Sequence, residues 1–385
     1  MVKGQEEQAR IAFVVAEDWF FVSHFLPMLR AAKAAGLSVV VITRIGSHKR
    51  AIEDLGARVV PLDIERSQLG VWSLGTAAMR IANILRREKI DLVHCIAIRC
   101  VLTGGAAAMI AGVKGRVLAI TGGGLMAADK SLKARIARLL VGKMLRIVCV
   151  RGNNHFLFEN ATDKDLFGLG HTNASATVLG GAGVDPNFYQ ELPPPSTTGV
   201  KLAMVGRMVW SKGAEIAVQA VSIARQQGHD IGLSLFGSPD PSNPRSLSVE
   251  TLREWSALPG IEWRGQVSDV RDVWAQHDIC ILPTRGGEGL PRSILEAAAC
   301  GRPILTTNVP GCRDFVRDNV EGWLFPVDDA KGMAQLLSSL ASDKERIAAT
   351  GVKARQRVNQ GYTEGSVCEL VTKVYRDMCE AIGKI

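Results

Sequence analysis

Two carboxylates, two cations and a glycine-rich helix start are the groups in this 385-residue chain best placed to do chemistry. The run Gly287-Glu288-Gly289-Leu290-Pro291-Arg292-Ser293-Ile294-Leu295-Glu296 follows an apolar, strand-like stretch that ends at Pro283. Pro291 suits the first turn of a helix, where its missing N–H is not needed. The N–H groups left free at such a start point at whatever anion lies ahead of them. Glu288 then precedes the helix and Glu296 sits about a turn and a half inside it. At about 1.5 Å rise per residue the two carboxylates are roughly 10 Å apart. An anion hole between spaced carboxylates suits a sugar nucleotide, with Glu296 on the ribose diol and Glu288 on the sugar hydroxyls. Upstream, Arg207 and Lys212 stand five apart in a loop bounded by Gly206 and Gly213. With the helix start they read as a clamp on the donor diphosphate, facing charge that grows as a glycosidic bond breaks.

The elements that position these groups alternate along the chain. Ile11–Ala16, Ser38–Thr43, Arg58–Pro61, Asp91–Cys95, Arg116–Ile120 and Ile147–Val150 read as short buried strands. Val22–Ala35, Lys49–Leu55, Ser73–Arg87, Val101–Ala111 and Ser131–Leu145 read as the helices between them. Such alternation predicts βαβ units and a parallel sheet. The Pro193–Gly199 cluster reads as a linker, after which the pattern restarts with strands Lys201–Val205, Gly232–Phe236, Ile261–Arg264, Asp278–Leu282 and Pro303–Thr306. Helices Ala214–Gln226, Leu247–Ala257 and Pro291–Cys300 fall between them. Two Rossmann-like domains are therefore expected, with ligands beyond the carboxyl ends of the strands. On that rim lie two candidate acceptor segments. Glu17–His24, with Trp19, Phe20 and His24, meets a sugar or lipid or else belongs to the core. Gly122, Gly123 and Gly124 cradle a phosphate or simply allow close approach.

A hydrophobic fraction of 47% and a charged fraction of 22% are those of a globular protein. No apolar run reaches the roughly 20 residues of a membrane span. Gln5-Glu6-Glu7 puts acid where a signal peptide carries base, so a cytoplasmic protein is expected. The eight cysteines show neither paired nor metal-ligand spacing and read as reduced core residues. Asp163-Lys164-Asp165 lies in a helical stretch without sugar-nucleotide elements around it and is not read as a metal site. Residues 1–188 hold 24 Lys+Arg against 15 Asp+Glu, a net of +9, while the remainder nets −1. Nucleic acid is a poor explanation, because no binding motif and few stacking aromatics accompany the charge. The stretch 130–146 is basic and amphipathic, with Leu132, Ile136, Leu139, Leu140 and Met144 at helical spacing. It either lies in an anionic membrane surface or packs on its own sheet.

The motifs together resemble the retaining glycosyltransferases of family 4, which have the GT-B fold: two Rossmann-like domains whose parallel sheets face a central cleft. The Glu-x7-Glu spacing resembles that family's donor signature. Val205-Gly206-Arg207-Met208-Val209-Trp210-Ser211-Lys212-Gly213 is similar to its cation loop, and Gly183-Val184-Asp185-Pro186-Asn187-Phe188 to the segment closing its first domain. Phe20-Phe21-Val22-Ser23-His24-Phe25-Leu26-Pro27 resembles a branch that builds lipid-linked and surface polysaccharides.

The resemblance implies a nucleotide-sugar donor, UDP- or GDP-linked, bound by residues 190–362. It implies a lipid-linked saccharide acceptor bound by residues 1–189, and a final helix, 363–385, crossing back to the first domain. Catalysis would involve Arg207, Lys212, Glu288 and an imidazole. His94 is the candidate for the last, although the family's second histidine is replaced by Ile96. Donor contacts would come from Gly206, Arg207, Lys212, Gly265, Val267, Glu288, Gly289, Leu290, Pro291, Ile294 and Glu296, the residue at Val267 packing on the base. No metal or other cofactor is implied, and work at the inner face of the cytoplasmic membrane is. A sugar-nucleotide epimerase, a phosphorylase of the same fold and a non-catalytic nucleotide-sugar binder remain open alternatives.

Overall fold

The computed structural model describes residues 8–62, 71–129, 131–148, 152–169, 174–196 and 198–384. The chain divides into two units. One comprises Met1–Ala182 together with Glu364–Ile385, and the other Gly183–Thr363. The break comes at Gly183, ahead of the expected 189/190 boundary, and the proline cluster at 193–195 lies inside the second unit.

The first unit is built on seven strands: β1 (Arg10–Glu17), β2 (Ser38–Arg44), β3 (Arg58–Pro61), β4 (Leu92–Ile96), β5 (Gly115–Ile120), β6 (Asn153–Phe158) and β7 (Ser175–Val178). They form one parallel sheet in the order β3-β2-β1-β4-β5-β6-β7. Strands buried on both faces need unbroken apolar runs, and β1 and β2 supply them. One face packs Phe13, Val39 and Val41 against the helix Leu26–Ala34 and the last helix, Glu364–Ala381. The other face packs Val14, Val93 and Leu118 against the helices Val71–Arg87, Ala97–Ala111 and Leu132–Val148.

Several expected elements differ. The helix Leu132–Val148 runs through the expected strand at Ile147, and Cys149 and Val150 lie outside the described residues. The sixth strand instead follows at Asn153–Phe158, where Asn153, Asn154 and His155 disguise it. The expected helix from Val22 to Ala35 is two helices, Asp18–His24 and Leu26–Ala34, parted at Phe25 (φ −119°, ψ 6°). Pro27, in the first turn of the second helix, has no N–H with which to continue the ladder of the first. Residues 18–21, ahead of the expected helix, are helical as well.

The second unit carries β8 (Val200–Val205), β9 (Ile231–Phe236), β10 (Ile261–Gly265), β11 (Ile279–Leu282), β12 (Ile304–Thr307) and β13 (Gly322–Phe325). All are parallel, in the order β10-β9-β8-β11-β12-β13. This is the doubly wound order in which succession reverses between the first and fourth strands, and ligands gather beyond the carboxyl ends at that reversal. Here the reversal lies between β8 and β11.

Candidate active site

The expected donor residues converge on that reversal. Gly206, Arg207 and Lys212 follow β8, and Glu288 follows β11, its neighbour in the sheet. Lys212 closes a single 3-10 turn, Trp210–Lys212, and is buried. Its Nζ lies 2.6 Å from Glu288 Oε1 and 2.8 Å from Oε2. Arg207 is half exposed and donates from Nη1 to Asp240 Oδ2 at 2.6 Å. Burial works against the charge on Asp240, but hydrogen bonds from Ser242 and Arg207 hold its carboxyl below the usual range.

Backbone conformation places Glu288. Gly286 and Gly287 both take positive φ, +92° and +87°, which L side chains rarely adopt. Behind the loop, a Cβ on Gly311 (φ +81°) would lie 1.6 Å from the Gly289 carbonyl oxygen. Only glycine lets the 308–311 turn back this loop. The helix itself runs Arg292–Ala299, with Pro291 as its N-cap rather than inside the first turn, and Ile294 N donates to Pro291 O at 3.1 Å. Leu290, Pro291 and Ile294 are buried, so their side chains pack inward and only their backbone is left for a ligand. Gly265 ends β10 at φ +66°, and the half-buried Val267 rests on the core beside it.

Glu296 is buried among partners that local spacing does not reveal. Its Oε1 accepts from Arg292 Nε at 2.9 Å and from the Tyr189 hydroxyl at 3.1 Å. Burial pushes its carboxyl up, and Arg292 and Tyr189 oppose that rise. Arg285 was also missed. Its guanidinium pairs with Glu215 and Asp328, each at 2.7 Å, and donates to the Trp210 carbonyl at 2.5 Å. Its backbone N donates to Ser211 O at 2.7 Å, so the loops after β8 and β11 are sewn together. Trp210 carries two guanidinium groups against its ring, Arg245 at 3.3 Å and Arg285 at 4.4 Å. No sequence signal marks Arg285 or Asp240 beyond their positions beside the glycine-rich loop and the proline-rich loop.

In the first unit the expectations fare unevenly. His94 is the middle residue of β4 and is wholly buried. It stacks near Phe13, and its Nδ1 shares a 2.6 Å hydrogen bond with the Tyr375 hydroxyl. Burial lowers its pKa to about 3. Burial among Phe13 and Tyr375 thus keeps the His94 ring neutral. Trp19 is exposed at the start of its helix, while Phe20 and His24 are half buried against each other with ring centroids 4.9 Å apart. Asp18 beside them is buried and accepts from Gly46 N and His48 N, tying a second rim loop to this one. Gly122 (φ +102°) and Gly123 are buried, and a Cβ on Gly123 would meet Ala127 Cβ at 2.5 Å. Gly123 thus serves close packing, and Gly124 (φ +56°) is the exposed member. Asp163 is buried and accepts from Asn160 Nδ2 at 3.0 Å. Among the described residues no group of three or more His, Cys, Asp or Glu side chains is arranged to hold a metal ion.

The helix Leu132–Val148 presents a different surface from a sheet-packed amphipathic helix. Ala134, Gly142, Leu145 and Val148 are its buried side. Leu132, Ile136, Leu139, Leu140, Met144 and Ile147 are 41–71% exposed. Lys133, Arg135, Lys143 and Arg146 are exposed along the same helix, and Lys130 lies outside the described residues.

Comparisons with known proteins agree with this architecture. A family model described as "Glycosyl transferase 4-like" matches residues 10–151, and one described as "Glycosyl transferases group 1" matches residues 199–343. The chain is 23% identical over 368 residues to the N,N'-diacetylbacillosaminyl-diphospho-undecaprenol alpha-1,3-N-acetylgalactosaminyltransferase of Campylobacter jejuni, covering 92% of this chain and 95% of that protein. It is 27% identical to the putative colanic acid biosynthesis glycosyltransferase WcaL of Escherichia coli over 47% of this chain and 46% of that one. Among solved structures, Anabaena Alr3699/HepE in complex with UDP-glucose superposes with a TM-score of 0.75 at 15% identity, covering 96% of this chain and 99% of that one. Sucrose-phosphate synthase from Thermosynechococcus elongatus superposes at 0.76 and 17% identity, covering 97% and 100%. With one family model on each sheet and the GT-B fold throughout, the protein belongs to the group 1 and 4-like glycosyltransferases.

Proposed function

We propose that the enzyme moves a sugar from a UDP- or GDP-linked donor to a lipid-linked saccharide in surface polysaccharide synthesis, with retention at the anomeric carbon. The observation that carries this reading is the Lys212–Glu288 pair just ahead of the Arg292–Ala299 helix at the β8/β11 reversal, with Arg207 on the same loop after β8. The donor diphosphate lies at that helix start, and Arg207 and Lys212 stabilise it as it leaves. Glu288 takes the sugar hydroxyls and Glu296 the ribose diol. The leaving phosphate oxygen receives the acceptor's proton on the same face of the sugar, through an oxocarbenium-like state. Fixed cations and a helix terminus supply the positive field, so no metal takes part and chelation with EDTA leaves the rate unchanged.

The first unit, with Trp19 and Gly124 on its rim, takes the acceptor. In the Campylobacter jejuni relative the name itself specifies a diphospho-undecaprenol sugar, which supports a lipid-linked acceptor in this chain. No helix among the described residues is long and apolar enough to cross a membrane. We place the enzyme at the cytoplasmic face, held peripherally by the helix Leu132–Val148. Its exposed leucines and isoleucines enter the acyl boundary, and each nearby cation adds about 1 kcal/mol at an anionic surface.

A binding panel of UDP-, GDP-, ADP- and dTDP-sugars, followed by transfer to diphospholipid-linked sugars, tests the reading. A bound donor with no transfer to any such acceptor refutes the acceptor class. Turnover of the donor without acceptor, or only with free phosphate, refutes glycosyl transfer.

A further inference from the structure

Residues 183–192 open the second unit and lie along the helix that carries Glu296. Leu192 N donates to Cys300 O at 3.2 Å, and Arg355 Nη1 donates to the Tyr189 carbonyl at 3.0 Å and to the Ala299 carbonyl. Arg271 covers the Phe188 ring at 4.0 Å. This packing delivers one polar atom into the buried end of the site, the Tyr189 hydroxyl. Tyr189 is 7% exposed and Glu296 8%. The hydroxyl donates to Glu296 Oε1 at 3.1 Å and also accepts from Arg292, whose Nε meets the same Oε1 at 2.9 Å. A buried carboxylate needs such partners to stay charged and to keep one rotamer.

We infer that Tyr189 is a positioning residue for nucleotide recognition: with Arg292 it pins Glu296 by Oε1 and presents Oε2 to a vicinal diol. The inference rests on the reading of Glu296 as the ribose contact. Tyr189 itself touches no ligand. Its effect passes through one carboxylate and is confined to ligands that carry the diol. A purely structural tyrosine would change the binding of every ligand of the unit alike.

The test is titration calorimetry of the full chain with UDP and GDP, continued with the tighter of the two and its 2′,3′-dideoxy analogue. Tyr189→Phe keeps the ring and removes the hydroxyl. It is expected to weaken the ribonucleotide about tenfold, as for a hydrogen bond to a charged group, and to leave the dideoxy analogue unchanged. Glu296→Gln should weaken the ribonucleotide at least as much, and the double variant should be no weaker than Glu296→Gln alone. If Glu296→Gln weakens binding and Tyr189→Phe does not, the positioning role falls and the donor site stands. Equal loss for both ligands in Tyr189→Phe assigns Tyr189 to packing and also overturns the inference. If Glu296→Gln binds the ribonucleotide as well as wild type, the ribose contact is wrong, and Tyr189 falls with it. Should Tyr189→Phe not fold, Tyr189→Leu is titrated with the same two ligands: loss confined to the ribonucleotide upholds the positioning role, and equal loss for both or none overturns it.

Discussion

Replacing Lys212 separates its work on the ligand from its work on the fold. Its ammonium sits 2.6 and 2.8 Å from the two oxygens of Glu288. The side chains are 10% and 25% exposed. Breaking a fully buried pair by removing one partner costs about 3–5 kcal/mol, and an exposed pair is worth about 0–1. With Glu288 a quarter exposed, we expect Lys212→Met to cost about 2 kcal/mol. For a unit of this size that lowers the unfolding midpoint by about 4–8 °C. Lys212→Met combined with Glu288→Gln leaves no charge without its partner and should regain about half of that stability or more. Transfer behaves differently. Lys212→Met should lose about 100-fold in turnover, about 2.7 kcal/mol of transition-state stabilisation, and the double variant should recover none of it. Calorimetric unfolding and transfer of a radiolabelled sugar measure the two effects side by side. Transfer within threefold of wild type in the single variant would remove Lys212 from the mechanism. A double variant no more stable than the single one would refute the electrostatic account of the pair.

Other consequences can be checked independently. Gly311→Ala puts a methyl into the Gly289 carbonyl at a positive φ; it should cost at least about 1–2 kcal/mol and weaken nucleotide binding by displacing the Glu288 loop, both measurable by melting with and without UDP or GDP. Ile136→Asp with Leu139→Asp changes two side chains that are 50% and 62% exposed; sedimentation with anionic vesicles should drop more than tenfold while stability stays within about 0.5 kcal/mol, and equal binding by neutral vesicles or in high salt would refute the charge-assisted surface. The pKa of His94 is lowered on folding, so its contribution is complete above the unfolded value of 6.5 and is lost as pH falls toward about 3. Between those limits the unfolded chain alone takes up a proton there, and stability should fall by up to about 1.4 kcal/mol per pH unit. Urea unfolding series at stepped pH should show this component absent from His94→Gln.

Much of the molecule is legible in the chain, for reasons that differ by region. Central strands such as Phe13–Val15 and Val39–Ile42 are buried on both faces and so appear as unbroken apolar runs. Edge strands such as Ser175–Val178 are exposed and short, and no such run marks them. The strand Asn153–Phe158 begins with polar residues, and the preceding helix continues through apolar residues that read as a strand. The donor loop is local, so spacing exposes it: Gly206, Arg207 and Lys212 lie within one turn of chain, and Glu288 and Glu296 within two. The partners of these groups are distant. Tyr189 meets Glu296 across 107 residues, Asp240 meets Arg207 across 33, and His94 meets Tyr375 across 281. Such pairings depend on how the strands are ordered, which no local pattern expresses. The surroundings of His94 are hidden for the same reason, since the Phe13 and Tyr375 rings that bury it come from other elements.

The first unit is interrupted in sequence, and this governs the order in which it can be completed during synthesis. Its sheet is finished by Val178, yet one face, already packed in part by the helix Leu26–Ala34, stays incompletely covered until Val367, Val371, Tyr375 and Met378 emerge some two hundred residues later. A nascent chain therefore carries an open apolar surface around Phe13 and Val41 while the whole of the second unit is being made. Emergence of the helix Glu364–Ala381, rather than elongation past Ala182, is the step that completes the core of the amino-terminal sheet.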